Sequence, residues 1–81
     1  MVEKKTLVLY SREQCPLCVK AKQILDELTK EHGWSYQEID IHSDDVLLEK
    51  YGLMIPVIEM DGKIIQYGNV DISTLRSVLV N

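Results

Sequence analysis

The chain has two cysteines, and both lie in the run Cys15-Pro16-Leu17-Cys18. Pro16 suits the first turn of a helix, where its missing N–H is no loss, so Cys15 falls at or near the N-cap and Cys18 one turn inside. Free N–H groups and the positive end of the helix dipole then face the first sulfur. Both favour the thiolate, the species that attacks a disulfide. Cys18, at i+3, neighbours Cys15 on the same face at a separation compatible with a disulfide. The chemistry this predicts is exchange: Cys15 attacks to form a mixed disulfide, and Cys18 displaces the product. The reverse assignment is worse, because a sulfur inside the helix and toward the core is harder for a substrate to reach. As a staple the pair would close only a tiny loop and contribute little. A pair of buried structural thiols is the bland alternative. Pro16 at the helix start and the polar approach Ser11-Arg12-Glu13-Gln14 count against it. Arg12 and Lys20 bring positive charge close by in sequence.

Zinc is the competing use of the same sulfurs. Cys15, Cys18, His32 and His42 read C-x2-C-x13-H-x9-H, whereas a finger separates its histidines by about three to five residues and carries its cysteines on a hairpin. Here the cysteines open a helix. At about 1.5 Å per residue, His32 lies a full helix length from Cys15, outside any shared tetrahedron. The acidic run Asp44-Asp45 with Glu49 reads as a capped helix start rather than a metal site.

The elements that must position the pair follow from local signals. Lys5 to Tyr10 is short, Leu/Val-rich and suited to a buried strand. A helix opens at Pro16, with Cys18, Ala21, Leu25 and Leu28 on one stripe and Ile24 beside it. Lys20, Lys22, Gln23, Glu27 and Lys30 make its solvated face. Gly33 stops it, and His32 suits the negative end of its dipole. A second strand runs from Trp34 to Ile41, with Trp34 and Tyr36 as packing residues. Ser43-Asp44-Asp45 caps a short helix ending at Tyr51-Gly52. Met54 reads as a gap filler near the cysteines. Pro56 opens a third strand, Val57 to Met60, and Asp61-Gly62 is a hairpin turn leading to Lys63–Tyr67. After Gly68-Asn69, Asp71 caps a last helix with Ile72, Leu75 and Leu79 on one face and Val78 alongside. The order is β-α-β-α-β-β-α. Two β-α-β connections predict parallel first strands and the tight turn an antiparallel last pair. The result is an α/β fold, a four-stranded mixed sheet with helices on both faces.

Composition narrows the function classes. Eighty-one residues hold one core, so residues 1–81 are expected to form a single domain. Hydrophobic residues are 46% and charged residues 27%, a globular mix, and with no Phe the core must rest on Ile, Leu and Val. The net charge of −4 argues against a nucleic-acid binder, which carries a basic surplus. The apolar stretch around Leu7-Val8-Leu9, after Met1-Val2-Glu3-Lys4-Lys5, is far too short for a secretory core or a spanning helix. The expected compartment is therefore the cytoplasm, where a close cysteine pair is working chemistry rather than scaffolding.

Cys15-Pro16-Leu17-Cys18 at this place, Ile55-Pro56 before a strand and Gly68 before the final capped helix resemble the glutaredoxins. The likeness is to the compact bacterial glutaredoxin-like proteins of the thioredoxin superfamily, and it spans nearly the whole chain. It implies a thioredoxin fold, without the extra N-terminal strand and helix of true thioredoxins. It also implies thiol–disulfide oxidoreductase activity, with Cys15 as nucleophile and Cys18 as resolving thiol. The residues alone favour a trans Ile55-Pro56 bond; the resemblance implies a cis one facing the cysteines, with the Ile55 backbone pairing with substrate in the manner of strand addition. Substrate contacts are implied at Arg12, Pro16, Leu17, Ile55, Pro56, Gly68 and Asp71. Arg12 stands where glutaredoxins have a basic residue. Asp71, an N-cap in its own right, matches a position that helps hold the amino end of glutathione. Three positions depart from the family pattern: Leu17 replaces a tyrosine, Met54 a threonine, and Asn69 a glycine, Asn being the residue after Gly most tolerant of positive φ.

The resemblance implies no bound cofactor. Its electron donor is glutathione, another small thiol, or a flavoprotein reductase, and its oxidant a protein or small-molecule disulfide. A monomer suffices for this chemistry, with neither nucleic acid nor membrane as partner. The alternative is a binding module of the same fold, recognising a protein partner at the Ile55-Pro56 edge with little redox turnover.

Overall fold

In the computed structural model, which describes residues 6–80, the central strand is β1, Thr6–Ser11. Lys5, where the sequence reading starts this strand, lies outside the described residues. Leu7 and Leu9 on one side of β1 are fully buried, and Val8 and Tyr10 on the other are partly buried. That two-sided burial explains an apolar run without strict alternation. Helix α1, Pro16–His32, packs on the first side; Cys18, Ala21, Leu25 and Leu28 are its buried stripe and Gly33 (φ 71°) its left-handed stop. β2, Ser35–Asp40, pairs parallel with β1 from Thr6↔Ser35 to Ser11↔Asp40. Trp34 stays outside the strand, its ring stacked on His32 with centroids 4.4 Å apart. Ile41 lies in a 3-10 turn, Ile41–Ser43, instead of closing the strand.

Helix α2, Asp45–Tyr51, is capped by Asp44, whose carboxylate accepts the Val46 N–H at 2.8 Å. β3, Val57–Met60, and β4, Lys63–Tyr67, follow with the predicted bounds. Asp61 (φ 54°) and Gly62 (φ 78°) both occupy the left-handed region, the geometry a two-residue hairpin needs. Helix α3, Ile72–Val80, buries Leu75 and Leu79, but Val78 is 47% exposed and turns away from the core rather than lying alongside them.

The sheet order is β2-β1-β3-β4. β3 runs antiparallel to β1, from Leu7↔Met60 to Tyr10↔Val57, and β4 antiparallel to β3. This corrects the expectation of two β-α-β units with parallel strands. Only the first connection is of that kind; the second brings β3 to the other side of β1 in the opposite sense. The alternation of β3 supplies residues to both faces of the sheet. Ile58 joins Leu7, Leu9 and the α1 and α3 residues Leu25, Leu28, Leu75 and Leu79 in one core. Val57 joins Ile41 and Tyr51 in a second core on the other face, with Tyr10, Leu47, Met54 and Ile55 packed against it. Helices thus cover both faces of a four-stranded mixed sheet. Each fully buried leucine contributes roughly 1.5–3 kcal/mol relative to exposure.

α2 is also held by polar contacts. Tyr10 and Tyr51 stack with centroids 4.6 Å apart, and both hydroxyls donate to the Glu59 carboxylate of β3. No helix among the described residues is long and apolar enough to cross a membrane.

Candidate active site

Ser11 ends β1, and Glu13 and Gln14 turn the chain into α1, Gln14 taking the left-handed region at φ 56°. That turn sets Cys15 in extended backbone (φ −121°, ψ 102°) as the N-cap, with Pro16 as the first helical residue. The Cys15 carbonyl accepts the Val19 N–H at 3.1 Å, the first bond of the helix. Its Sγ accepts the Cys18 N–H at 3.2 Å, satisfying a donor the helix cannot pair internally. Cys15 and Cys18 are joined in a disulfide across 5.2 Å between Cα atoms. Cys15 is 8% exposed and Cys18 4%, so both residues are buried, Cys15 slightly less so.

The pair opens on a groove of about 450 Å³ lined by Arg12, Glu13, Gln14, Cys15, Pro16, Cys18, Val19, Lys22 and Glu38. Arg12 makes no ion pair or side-chain hydrogen bond among the described residues, and it also borders two adjoining depressions, one lined by Asp40 and His42. Lys22 is paired with Glu38 at 3.2 Å, and the Ser11 hydroxyl donates to Glu38 at 3.0 Å.

Of the residues singled out in the sequence, Arg12, Cys15, Pro16 and Cys18 come together on this groove. Leu17 is 44% exposed on the first turn of α1 and does not line it. A second group forms at the start of β3. The Ile55-Pro56 bond is cis. The Ile55 N–H donates to the Tyr51 carbonyl at 3.2 Å, so that amide already has a partner. Gly68 (φ 76°) donates its N–H to the carbonyls of Met54 (3.1 Å) and Pro56 (2.8 Å), joining the β4–α3 loop to the proline turn. This loop is tied to α1 by the Lys20 ammonium, which donates to the Asn69 side chain at 3.3 Å. Asp71 caps α3, accepting the Thr74 N–H at 3.0 Å and hydroxyl at 2.7 Å. Its carboxyl is held below the ordinary carboxylate value, first by the Thr74 hydroxyl, then by the Thr74 N–H, with Lys20 adding a smaller pull. Met54 packs against Ile41, Tyr51 and Val57 rather than on the cysteine groove.

Glu38 and Lys22 also line the groove. Lys22 reads in the sequence as a solvated helix face that also raises the potential near Cys15, and Glu38 is not singled out there for the site. The signal available is alternation: Tyr36 and Glu38 share the β2 face that meets α1, and Tyr36 does pack on the α1 core. No group of three or more His, Cys, Asp or Glu side chains able to hold a metal ion forms among the described residues. His32 closes the far end of α1 and His42 lies in the 3-10 turn, so the zinc spacing corresponds to no cluster.

The family described as Glutaredoxin-like domain (DUF836) matches residues 6–80. The chain belongs to that family. It is 40% identical over 40 residues to "Glutaredoxin 1" of Salmonella typhimurium, a match covering 48% of this chain and 46% of that protein. The chain thus spans about half the length of the first curated relatives it matches. An uncharacterized protein of Mycobacterium tuberculosis, Rv0508, is 31% identical over 74 residues, covering 85% of this chain and 76% of that one. Among solved structures, protein Ne2328 from Nitrosomonas europaea superposes with a TM-score of 0.82 at 27% identity, covering 98% of this chain and 95% of its own. A cysteine pair at disulfide distance, opening the first helix of this glutaredoxin-like scaffold, has the geometry of a thiol–disulfide redox site.

Proposed function

We propose that this chain is a thiol–disulfide oxidoreductase in which Cys15 is the nucleophile and Cys18 the resolving thiol. The observation that carries the reading is the N-cap geometry: the Cys15 sulfur of a bonded pair accepts the Cys18 N–H at the positive end of α1. In the reduced chain the Cys15 thiolate attacks one sulfur of a substrate disulfide, forming a mixed disulfide and releasing the other sulfur as a thiolate. The Cys18 sulfur, having given up its proton to solvent, then attacks Cys15, forming the Cys15–Cys18 bond and releasing the second thiolate. Two electrons pass from the dithiol to the substrate. A two-electron donor, either two thiols such as glutathione or a flavoprotein reductase, restores the dithiol.

Arg12, unpaired on the groove, suits a substrate carboxylate. Pro16 and Leu17 offer apolar contact beside Cys15. Ile55, Pro56 and Gly68 form one backbone unit to which an extended substrate would add, exchanging the Ile55–Tyr51 bond for its own. Asp71 would meet a substrate amino group. The chain works as a single-domain monomer in a reducing cytoplasm, where both of its cysteines serve the redox pair.

Cys15→Ser is expected to abolish reduction of a small aromatic disulfide while leaving far-UV circular dichroism unchanged. Cys18→Ser is expected to accumulate a mixed disulfide on Cys15, read by intact-mass spectrometry. Exchange that survives in Cys15→Ser would overturn Cys15 as the nucleophile, and full biological function in a chain with both cysteines changed to Ser would favour a binding module. Turnover with glutathione, set against turnover with a flavoprotein reductase, assigns the donor.

A further inference from the structure

The groove beside the cysteines carries four charged side chains: Arg12 and Glu13 from the loop, Lys22 from α1 and Glu38 from β2. Asp40 and His42 border the depression next to it, also lined by Arg12. Of these, Lys22 and Glu38 are paired with each other at 3.2 Å. Glu38 is fixed a second time by the hydroxyl of Ser11, which is 4% exposed and ends the central strand. A surface ion pair with two mobile partners contributes little. This one has one oxygen anchored to the hydroxyl of a buried residue, and both partners line the groove that Cys15 and Cys18 also line. Lys22 is one helical turn beyond Cys18, at i+4, on the side of α1 that faces β2.

From this geometry, and resting on the redox reading above, we propose that Glu38 is a positioning residue of the site. By holding Lys22 and offsetting its charge, it sets how much positive potential the groove offers the Cys15 thiolate. Glu38 touches neither sulfur in this role; it acts by holding Lys22 and by the charge that offsets it. The consequence is a poised site rather than a maximally activated one, with Arg12 left as the cation free to meet a substrate. Removing the Glu38 charge frees Lys22 and stabilises the thiolate; removing Lys22 leaves Glu38 uncompensated and destabilises it. One unit charge across a partly solvated groove changes an ionisation constant by roughly two- to fivefold.

The test titrates the Cys15 thiolate by its ultraviolet absorbance in a Cys18→Ser background, where it is the only thiol. Adding Glu38→Gln is expected to raise the Cys15 acid dissociation constant about threefold, and Lys22→Met to lower it by a similar factor. Their combination is expected to return it close to the parent value, and Glu38→Asp, which keeps the charge, to stay near the parent. The proposal is overturned if Glu38→Gln leaves the constant unchanged in a folded protein. It is equally overturned if the double variant keeps the raised constant of Glu38→Gln alone, or if Glu38→Asp behaves like Glu38→Gln. Should Glu38→Gln fail to fold, Lys22→Met alone decides, an unchanged constant ending the proposal. Disulfide exchange by the unmodified chain is measured in parallel. Its absence would sink the redox reading, whereas unmoved constants beside intact exchange would sink only the role of Glu38.

Discussion

A reduced chain carrying Cys18→Ser should titrate its remaining thiol well below the value of an ordinary cysteine. The substitution keeps the backbone N–H of residue 18, which donates to the Cys15 sulfur at 3.2 Å. A hydrogen bond to an ionised acceptor is worth about 1 kcal/mol more than one to a neutral acceptor. The open N-terminus of α1 adds about 0.3–1 kcal/mol in favour of the anion, and Arg12 on the same groove adds a few tenths at most. Lys22 adds little, since Glu38 offsets it. Burial of Cys15 to 8% exposure opposes these terms by disfavouring the charged form. The balance favours the anion, placing the midpoint below the value of about 8.5 for a free thiol. Thiolate absorbance followed from about pH 5 to pH 10 measures it directly. Because the thiolate exists only in the reduced state, each unit of lowering makes the dithiol–disulfide couple more oxidising by about 30 mV. A midpoint at or above the free value would refute the electrostatic argument for Cys15 as nucleophile.

Two further perturbations test the scaffold around the site. Tyr51 is pushed up to about 12 by burial first, then by its hydrogen bond to Glu59 and by that carboxylate's charge, so its stabilisation is complete below the unfolded value of 10.0 and is lost as pH rises toward 12. Tyr51→Phe should cost about 1–2 kcal/mol at neutral pH in urea unfolding, and its deficit against the unsubstituted chain should shrink above about pH 10; a constant deficit would argue against the Tyr51–Glu59 bond. The Asp71 carboxyl is held below its ordinary 3.8 by Thr74, so its contribution is present above 3.8 and is lost as pH falls through the lower, folded value. Asp71→Asn should therefore unfold at lower urea than the unsubstituted chain at neutral pH and match it in strong acid, and coincident curves at all pH values would rule out the charged cap.

What the residues of this chain determine by themselves is local. Pro16 and Gly33 bound α1, Asp44 and Asp71 cap their helices, and Asp61-Gly62 supplies the two left-handed residues of the hairpin. Each acts within a few residues along the chain, so each is legible without knowing what lies opposite. The redox pair belongs to this class, since N-cap and third helical residue are neighbours by helix geometry alone.

Tertiary packing decided the rest. A β-α-β pattern does not say on which side of β1 the third strand docks or in which direction. In the fold it docks antiparallel on the side of β1 away from β2, with Ile58 and Val57, adjacent in sequence, in two different cores on opposite faces of the sheet. Val78 shows the same dependence, because an apolar type near a helical stripe says nothing about whether a neighbour covers it. Glu38 is the instructive case at the site. Its type suggests solvent, but its parity on β2 turns it toward α1, where Lys22, sixteen positions earlier, and Ser11, twenty-seven earlier, meet it. Charge pairs of that sequence separation exist only once strands and helix have docked, so the sulfurs were readable from the chain and the charges that surround them from the fold.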